Sequence, residues 1–241
     1  MLPAWLDFMG YGPRLFIGGL LTLEVALLSL LIGLVLGLLA ASAKLSRSAF
    51  LRAIGTAYTT LIRGVPDLVL MMLLFYGGQI GVNAVTDWLY SVSGGTIDMY
   101  ININAFTAGS ITIGFIIGAY MAETFRGAFL AVEKGQMEAA EAYGMRPLQT
   151  FWRIRFPLMM RHALPGIGNN WLVLLKMTAL VSIIGLSDMV QVADEATRAN
   201  HAPFLFLIPV ALGYLIIAGL SEIVFQWLTR RYNTGVLEGD E

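Results

Sequence analysis

Five long apolar runs constrain this sequence more than any other feature, because each is long enough to cross a lipid bilayer as a helix. A spanning helix needs about 20 mainly apolar residues. Only 13% of the 241 residues are charged, whereas a soluble domain carries about 25%. The predicted spans cover residues 15–42, 54–80, 106–130, 164–186 and 203–228. We therefore predict an all-α integral membrane protein with five transmembrane helices.

The chain contains no linker or low-complexity stretch, so residues 1–241 are interpreted as a single transmembrane domain. A secretory signal opens with positive charge before a short apolar core. Here the first basic residue is Arg14, and the apolar run that follows continues into the low forties. We expect an uncleaved first span.

Composition argues against several functional classes. A net charge of −1 disfavours a nucleic-acid partner. Cysteine is absent and only two histidines occur, so the sequence offers little for a metal site or a histidine-based catalyst. No H-E-x-x-H or G-x-S-x-G motif supports a membrane-embedded enzyme.

Basic residues are concentrated in alternate connections, which predicts the orientation, since cytoplasmic connections carry the excess of lysine and arginine. Ten lie on one side: Lys44, Arg47, Arg52, Lys134, Arg146, Arg153, Arg155, Arg161, Arg230 and Arg231. The other side has only Arg14 and Arg198. The N-terminus is therefore predicted outside and the C-terminus in the cytoplasm, as an odd number of spans requires.

The longest connection, residues 131–163, is here called the elbow. Residues 133–143 are nearly all good helix formers, and Gly144 offers a helix stop. Pro147 suits the first turn of a second helix, residues 147–161, which we predict to lie along the inner membrane surface.

The elbow also carries a spaced motif. Glu138-Ala139-Ala140 is followed after three residues by Gly144, and after nine more by Ile154-Arg155-Phe156-Pro157. This pattern resembles the EAA loop of type I ABC importer permeases, although Phe156 stands where that family has leucine. The resemblance implies the MetI-like permease fold and a coupling helix that docks into a cleft of a cytoplasmic ATPase. The candidate coupling residues are Glu138, Ala139, Ala140, Gly144, Ile154 and Pro157.

Other segments extend the resemblance over the whole chain. Arg63-Gly64-Val65-Pro66-Asp67-Leu68, Glu123-Thr124-Phe125-Arg126-Gly127 and Lys176-Met177-Thr178-Ala179-Leu180-Val181-Ser182 look like elements of polar amino-acid permeases. The pattern is most similar to the Q-type permease of histidine/lysine/arginine/ornithine uptake systems. Octopine and nopaline permeases are near alternatives.

The resemblance also implies partners. The sequence has no G-x-x-x-x-G-K-[ST] phosphate loop, so ATP hydrolysis is assigned to a separate subunit and this chain is not expected to bind ATP or any other cofactor. The family supplies two copies of that ATPase, a second permease (expected to be a paralogue), and a periplasmic or lipid-anchored binding protein. The expected location is the bacterial cytoplasmic membrane.

Charges inside the predicted spans are candidate path-lining groups, because ionisable residues are costly at membrane depth. Arg63 and Asp67 lie four residues apart and could pair on one helix face. Pro66 lies between them and is expected to break the helical hydrogen bonding locally. Alternatively, Asp67 faces the translocation path and attracts a cationic side chain or an α-amino group. Glu123 and Arg126 are predicted to pair with each other.

The fourth span contributes the remaining path candidates. Lys176 is its only charge and could hold a substrate carboxylate, or pair with an acidic group such as Glu24 or one on the partner chain. Thr178 and Ser182 are further candidates, although helical rotation keeps the three off one face. In the following connection Asp188 is expected in a solvated loop, or else in contact with the binding protein.

Two other functions stay open. A secondary transporter commonly shows inverted repeats with a broken helix in each half, and five spans with one elbow give no matching halves. A purely structural subunit, with the path mostly in a partner, is the other alternative.

Overall fold

The computed structural model describes residues 8–96 and 101–232, and all regular structure in these residues is helical. After a short 3-10 turn at Phe8–Gly10, the helices are α1 (Gly12–Lys44), α2 (Ala49–Gly64), α3 (Asp67–Val92), α4 (Ala105–Ala131), α5 (Lys134–Ala142), α6 (Pro147–Thr150), α7 (Phe156–Met177), α8 (Met189–Asn200) and α9 (Pro203–Tyr232). A π-helical turn, Phe151–Arg155, joins α6 to α7, and a 3-10 segment, Thr178–Ile184, extends α7.

Five helical units within residues 8–96 and 101–232 are long and apolar enough to cross a membrane: α1, α3, α4, the continuous unit Pro147–Ile184, and α9. The all-α fold with five spanning helices is thus confirmed. The predicted runs 15–42, 106–130 and 203–228 lie within α1, α4 and α9.

The second span differs from the prediction. The predicted span 54–80 is divided where Pro66 is expected to break the helix, because α2 ends at Gly64 and α3 begins only at Asp67. The local break is confirmed, but the spanning helix is α3 and extends to Val92. Pro66 has no N–H to donate and forces the preceding residue out of the helical region. Val65 is accordingly extended, at φ −110° and ψ 140°.

The second half of the elbow also differs. The separate surface helix predicted over 147–161 is wrong, since the chain runs as one helical unit from Pro147 to Ile184. Pro157 cannot donate to the carbonyl four residues before it. The π-helical turn accommodates this gap, with the Phe156 N–H bonded to the Phe151 carbonyl. The predicted span 164–186 therefore begins much earlier as a helix.

The core is built around α4, which is buried along most of its length between α1 and α7. The backbones of α1 and α4 approach closely: a Cβ at Gly37 would lie 2.5 Å from the Cβ of Met121. Ser29 Oγ donates to the Ser110 carbonyl at 3.0 Å. In contrast, only 11% of the most apolar stretch of α3, and likewise of α9, is buried within the protein. These two helices therefore form the outer surface of this chain.

At the end of the bundle opposite the elbow, Asp188 caps α8. Its Oδ1 accepts from the Gln191 N–H at 2.9 Å. The expectation of a solvated loop is wrong at this residue, because Asp188 is fully buried and its Oδ2 has no hydrogen-bond partner among the described residues. Burial raises the pKa of the Asp188 carboxyl to about 6. This residue lies beyond the fourth candidate span, which ends at Ile184.

We predict that Asp188→Asn stabilises the protein at pH 8. The folded-state pKa is raised, so the stability cost of burying the charge is absent below the unfolded value of 3.8 and is fully present above about 6. Asparagine caps helices as well as aspartate does. The gain at pH 8 should be roughly 1–3 kcal/mol and should shrink as the pH falls towards 4.

Thermal unfolding in detergent at several pH values measures this difference. The control is Asp194→Asn, since that carboxylate is partly exposed and pairs with Arg198 at 2.8 Å on the same helix. An Asp188→Asn variant that is less stable than the parent by the same amount at every pH would contradict the prediction.

Candidate coupling and translocation sites

The turn of the elbow is fixed by hydrogen bonds at the end of α5. Gly144 donates to the Glu141 carbonyl at 2.9 Å, and Met145 donates to the Ala140 carbonyl at 3.1 Å. These two bonds form a Schellman motif, whose left-handed residue is Gly144 at φ +72°. The helix stop predicted at Gly144 is confirmed. Proline also occupies the first turn of α6, as predicted.

The two alanines of the motif have different environments. Ala140 is buried under the turn, whereas Glu138 and Ala139 are exposed on the outer side of α5. Ile154 and Pro157 are half-buried within the helical unit that continues into α7. The structure therefore places the candidate coupling residues on both arms of one sharp turn.

Large apolar side chains stand out from this turn. Tyr143 is 89% exposed, Leu148 70% and Trp152 58%. Here these three residues are called the elbow ridge. Such side chains normally require a covering surface when they cluster. Beside them lies a groove of about 270 Å³, lined by Met137, Glu141, Met145, Pro147, Thr150, Phe151 and Arg155.

Arg63 and Asp67 lie on different helices because of the break at Pro66. The structure records no ion pair between them in the segments 8–96 and 101–232, so the pairing on one helix face is wrong. Instead, the Arg63 guanidinium lies over the Tyr120 ring, 5.4 Å from its centre. Tyr120 was not found from the sequence, since an aromatic residue in a span carries no distinctive signal.

Helix α2 has two exposed faces of opposite character. Phe50, Ile54 and Leu61 form an apolar outer face. Thr56, Thr60 and Arg63 are exposed about half a turn away. Exposed polar side chains of this kind suit contact with water or with another protein rather than with lipid. An open cavity of about 350 Å³ lies on this polar side, lined by Lys44, Thr59, Thr60, Arg63, Gly64, Tyr120 and Glu123.

The fourth-span candidates are not brought together. Lys176 is exposed and makes no ion pair with any residue that the structure describes, Glu24 included. Thr178 is buried, donates to the Leu175 carbonyl at 2.7 Å, and lies 3.2 Å from the Tyr214 hydroxyl. Ser182 donates to the Ala179 carbonyl at 2.7 Å. Both hydroxyls thus satisfy their donors within their own helix.

Glu123 forms ion pairs with two residues, the predicted Arg126 and also Lys44. Its Oε2 accepts from Arg126 Nε at 2.9 Å, which confirms the predicted pair. Its Oε1 accepts from Lys44 Nζ, which also donates to Thr59 Oγ1 at 2.8 Å. Sequence reasoning missed Lys44, because it is 79 residues from Glu123 and local spacing cannot connect them.

Both the sequence and the fold are similar to those of known proteins. The sequence model of the family described as "Binding-protein-dependent transport system inner membrane component" matches residues 33–234. That range includes the elbow, the helix break at Pro66 and the Glu123 contacts.

Individual relatives match over almost the full length. The chain is 51% identical to the histidine/lysine/arginine/ornithine transport system permease protein HisQ of Salmonella typhimurium (strain LT2), covering 96% of this chain and 98% of the relative. It is 38% identical to the octopine transport system permease protein OccQ of Rhizobium radiobacter, covering 97% and 98%. A solved amino acid ABC transporter with histidines superposes with a TM-score of 0.76 at 29% identity, covering 96% of this chain and 100% of that one.

We predict that Gly144→Val loosens the turn of the elbow while Gly144→Asn largely preserves it. No atom lies within 4 Å of a Cβ added at Gly144, so the cost comes only from the left-handed backbone. For a residue with a Cβ this cost is about 1–2 kcal/mol, and asparagine tolerates the conformation better than valine does.

Hydrogen exchange of the amides in residues 134–147 measures the effect. Gly135→Val is the matched control, because Gly135 also has open space but no positive φ. Equal protection in the Gly144→Val and Gly144→Asn variants would show that the left-handed residue does not hold the turn.

Proposed function

Because the chain belongs to the family of binding-protein-dependent transport system inner membrane components, we propose that it is the Q-type permease of an ATP-driven importer for histidine, lysine, arginine and ornithine. The observation that carries this proposal is the near-full-length similarity to HisQ, at 51% identity over 231 residues. The opine permeases are the second candidate, and the lower identity of 38% to OccQ makes them less favoured.

The chain would work in an assembly. The proposed partners are a second permease subunit, expected to be a paralogue, two copies of a cytoplasmic ATPase and a substrate-binding protein outside the membrane. The absence of a phosphate loop from the sequence supports assigning bound ATP and Mg²⁺ to the ATPase and no cofactor to this chain. The basic residues at the elbow end, such as Lys44 and Arg146, support an outside N-terminus and a cytoplasmic C-terminus.

The elbow would transmit the ATPase motion. The elbow ridge and the outer side of α5, with Glu138 and Ala139, offer an exposed surface for the ATPase cleft. Closure of the ATPase dimer on ATP would displace this surface. Because Pro147–Ile184 is one helical unit, the displacement would pass directly into the fourth span. The spans would open outward to accept substrate, and hydrolysis would return them to the inward state.

The translocation path would follow the polar side of α2. Arg63 and Asp67 flank the helix break and have no mutual ion pair in the described part of the chain, so both remain available to a zwitterionic amino acid. Lys176 is exposed and would face the path or the second permease. Thr178 and Ser182 would contribute only after a rearrangement, since their hydroxyls are bonded to carbonyls of their own helix.

A reconstituted transporter tests the proposed energy source. Purification of this chain with its operon partners into liposomes should give uptake of radiolabelled L-arginine that requires ATP and binding protein, and that survives collapse of the membrane potential. Uptake that follows the potential and ignores ATP would assign the chain to the secondary transporters.

We predict that Asp67→Asn raises the KM for lysine and arginine uptake about tenfold, the equivalent of losing one favourable charge interaction of about 1.4 kcal/mol. The control is Asp87→Asn, which makes the same charge change on α3 at an exposed position. An unchanged KM and unchanged selectivity in the Asp67→Asn variant would remove Asp67 from the path.

A further inference from the structure

Hydrogen bonds among three side chains connect helices α1, α2 and α4. Lys44, the last residue of α1, donates to Thr59 on α2 and to Glu123 on α4. We call Lys44, Thr59 and Glu123 the clasp. The Lys44 side chain is only 13% exposed and that of Glu123 22%, so solvent screens this ion pair less than it screens a surface pair.

Close packing makes this contact possible. A Cβ at Gly55 of α2 would lie 2.8 Å from Lys44 Cγ and 3.2 Å from the Ala40 carbonyl oxygen. The glycine therefore allows α2 to lie directly against the end of α1. The ammonium group then reaches Thr59 and Glu123 at the same time.

A further hydrogen bond joins α2 directly to α4. The Tyr58 hydroxyl donates to the Phe115 carbonyl of α4 at 2.6 Å. Tyr58 and Thr59 are adjacent, so α2 is hydrogen-bonded to α4 directly through Tyr58 and indirectly through Lys44. Arg63, over the Tyr120 ring, adds a direct contact one turn further along α2, before the helix ends at Gly64.

The three clasp residues themselves line the cavity, and α4 connects them to the elbow. Helix α4 ends at Ala131 and α5 begins at Lys134. Glu123 is two turns before the end of α4, about 12 Å along its axis. Arg63 is one turn beyond Thr59 on α2 and lines the cavity. A displacement of α5 would therefore enter α4 through the connection at residues 132–133, in addition to the fourth span through α6, and the clasp is one of the polar connections from α4 to the helix that carries Arg63.

We propose that Lys44, Thr59 and Glu123 form a positioning connection that makes α2 follow α4, so that movement of the elbow changes the cavity beside Arg63. This inference rests on the proposed ATP-driven transport. Arg126 is not part of the connection, because it pairs with Glu123 within α4.

The two cations of Glu123 provide a matched comparison. Lys44→Gln and Arg126→Gln each remove one positive charge beside the same carboxylate, but only Lys44→Gln removes an ion pair that joins different helices. Lys44→Arg keeps the charge. Thr59→Val keeps the ion pair and removes the hydrogen bond from Lys44 to α2, together with the bond that the Thr59 hydroxyl donates to the Thr56 carbonyl of the same helix.

The experiment uses the complete transporter in liposomes and measures radiolabelled L-arginine taken up per ATP hydrolysed, with the melting temperature of each complex alongside. Coupling between sites commonly amounts to about 5–150-fold, so we expect Lys44→Gln to lower the ratio about tenfold while ATP hydrolysis stays within about twofold of the parent. Arg126→Gln should stay within about twofold and Lys44→Arg within about threefold, and Thr59→Val should lower the ratio about threefold.

Several results would overturn the inference. An unchanged ratio in Lys44→Gln, or an equal fall in Arg126→Gln, would show that the clasp transmits nothing. If Lys44→Gln does not assemble, Thr59→Val decides, and an unchanged ratio there overturns the proposal. A parent transporter without ATP-dependent uptake would instead refute the proposed function, so the two failures are distinguishable.

Discussion

The close approach of α1 and α4 is the contact on which the rest of this bundle depends. Two apolar helices gain little from the hydrophobic effect in lipid, so they associate through tight packing of small residues. Gly37 lets the α1 backbone lie against Met121, and Ser29 bonds to the α4 backbone. With α4 fixed in the centre, α7 packs on its other side through Asn170, whose amide donates to Thr124 at 2.9 Å. The cavity and the clasp both form around the same helix.

Pro66 and Pro157 have different effects on the helices around them: one ends a helix and the other does not. Pro66 follows the β-branched Val65, which adopts the extended conformation that a proline imposes on its predecessor. Pro157 follows a π-helical turn, which absorbs the missing donor without ending the helix. The predicted second span is therefore divided into α2 and α3 beside the polar cavity, while the fourth continues from the elbow through the bundle.

The sequence predicted those features that depend on local chemistry. Apolar run length indicated the five spans, and the positions of Gly144 and Pro147 indicated the turn of the elbow, because each residue acts on its own backbone. The pair Glu123–Arg126 followed from one-turn spacing. Contacts between distant segments could not be derived in this way. Lys44 meets Glu123 only because Gly55 and Gly37 permit close packing, and Asp188 is buried only because other helices cover the start of α8.

The unit Pro147–Ile184 has 38 residues, which corresponds to a length of about 57 Å at 1.5 Å per residue. The hydrocarbon core of a bilayer is only about 30 Å thick. Much of this helical unit must therefore project beyond the lipid. When the part inside the membrane tilts, the part outside moves about the membrane boundary. With about 27 Å of the unit outside the lipid, a tilt of about 5° about the membrane boundary would move its outer end through roughly 2 Å. Small angular changes inside the membrane thus correspond to displacements of a few ångströms at the elbow.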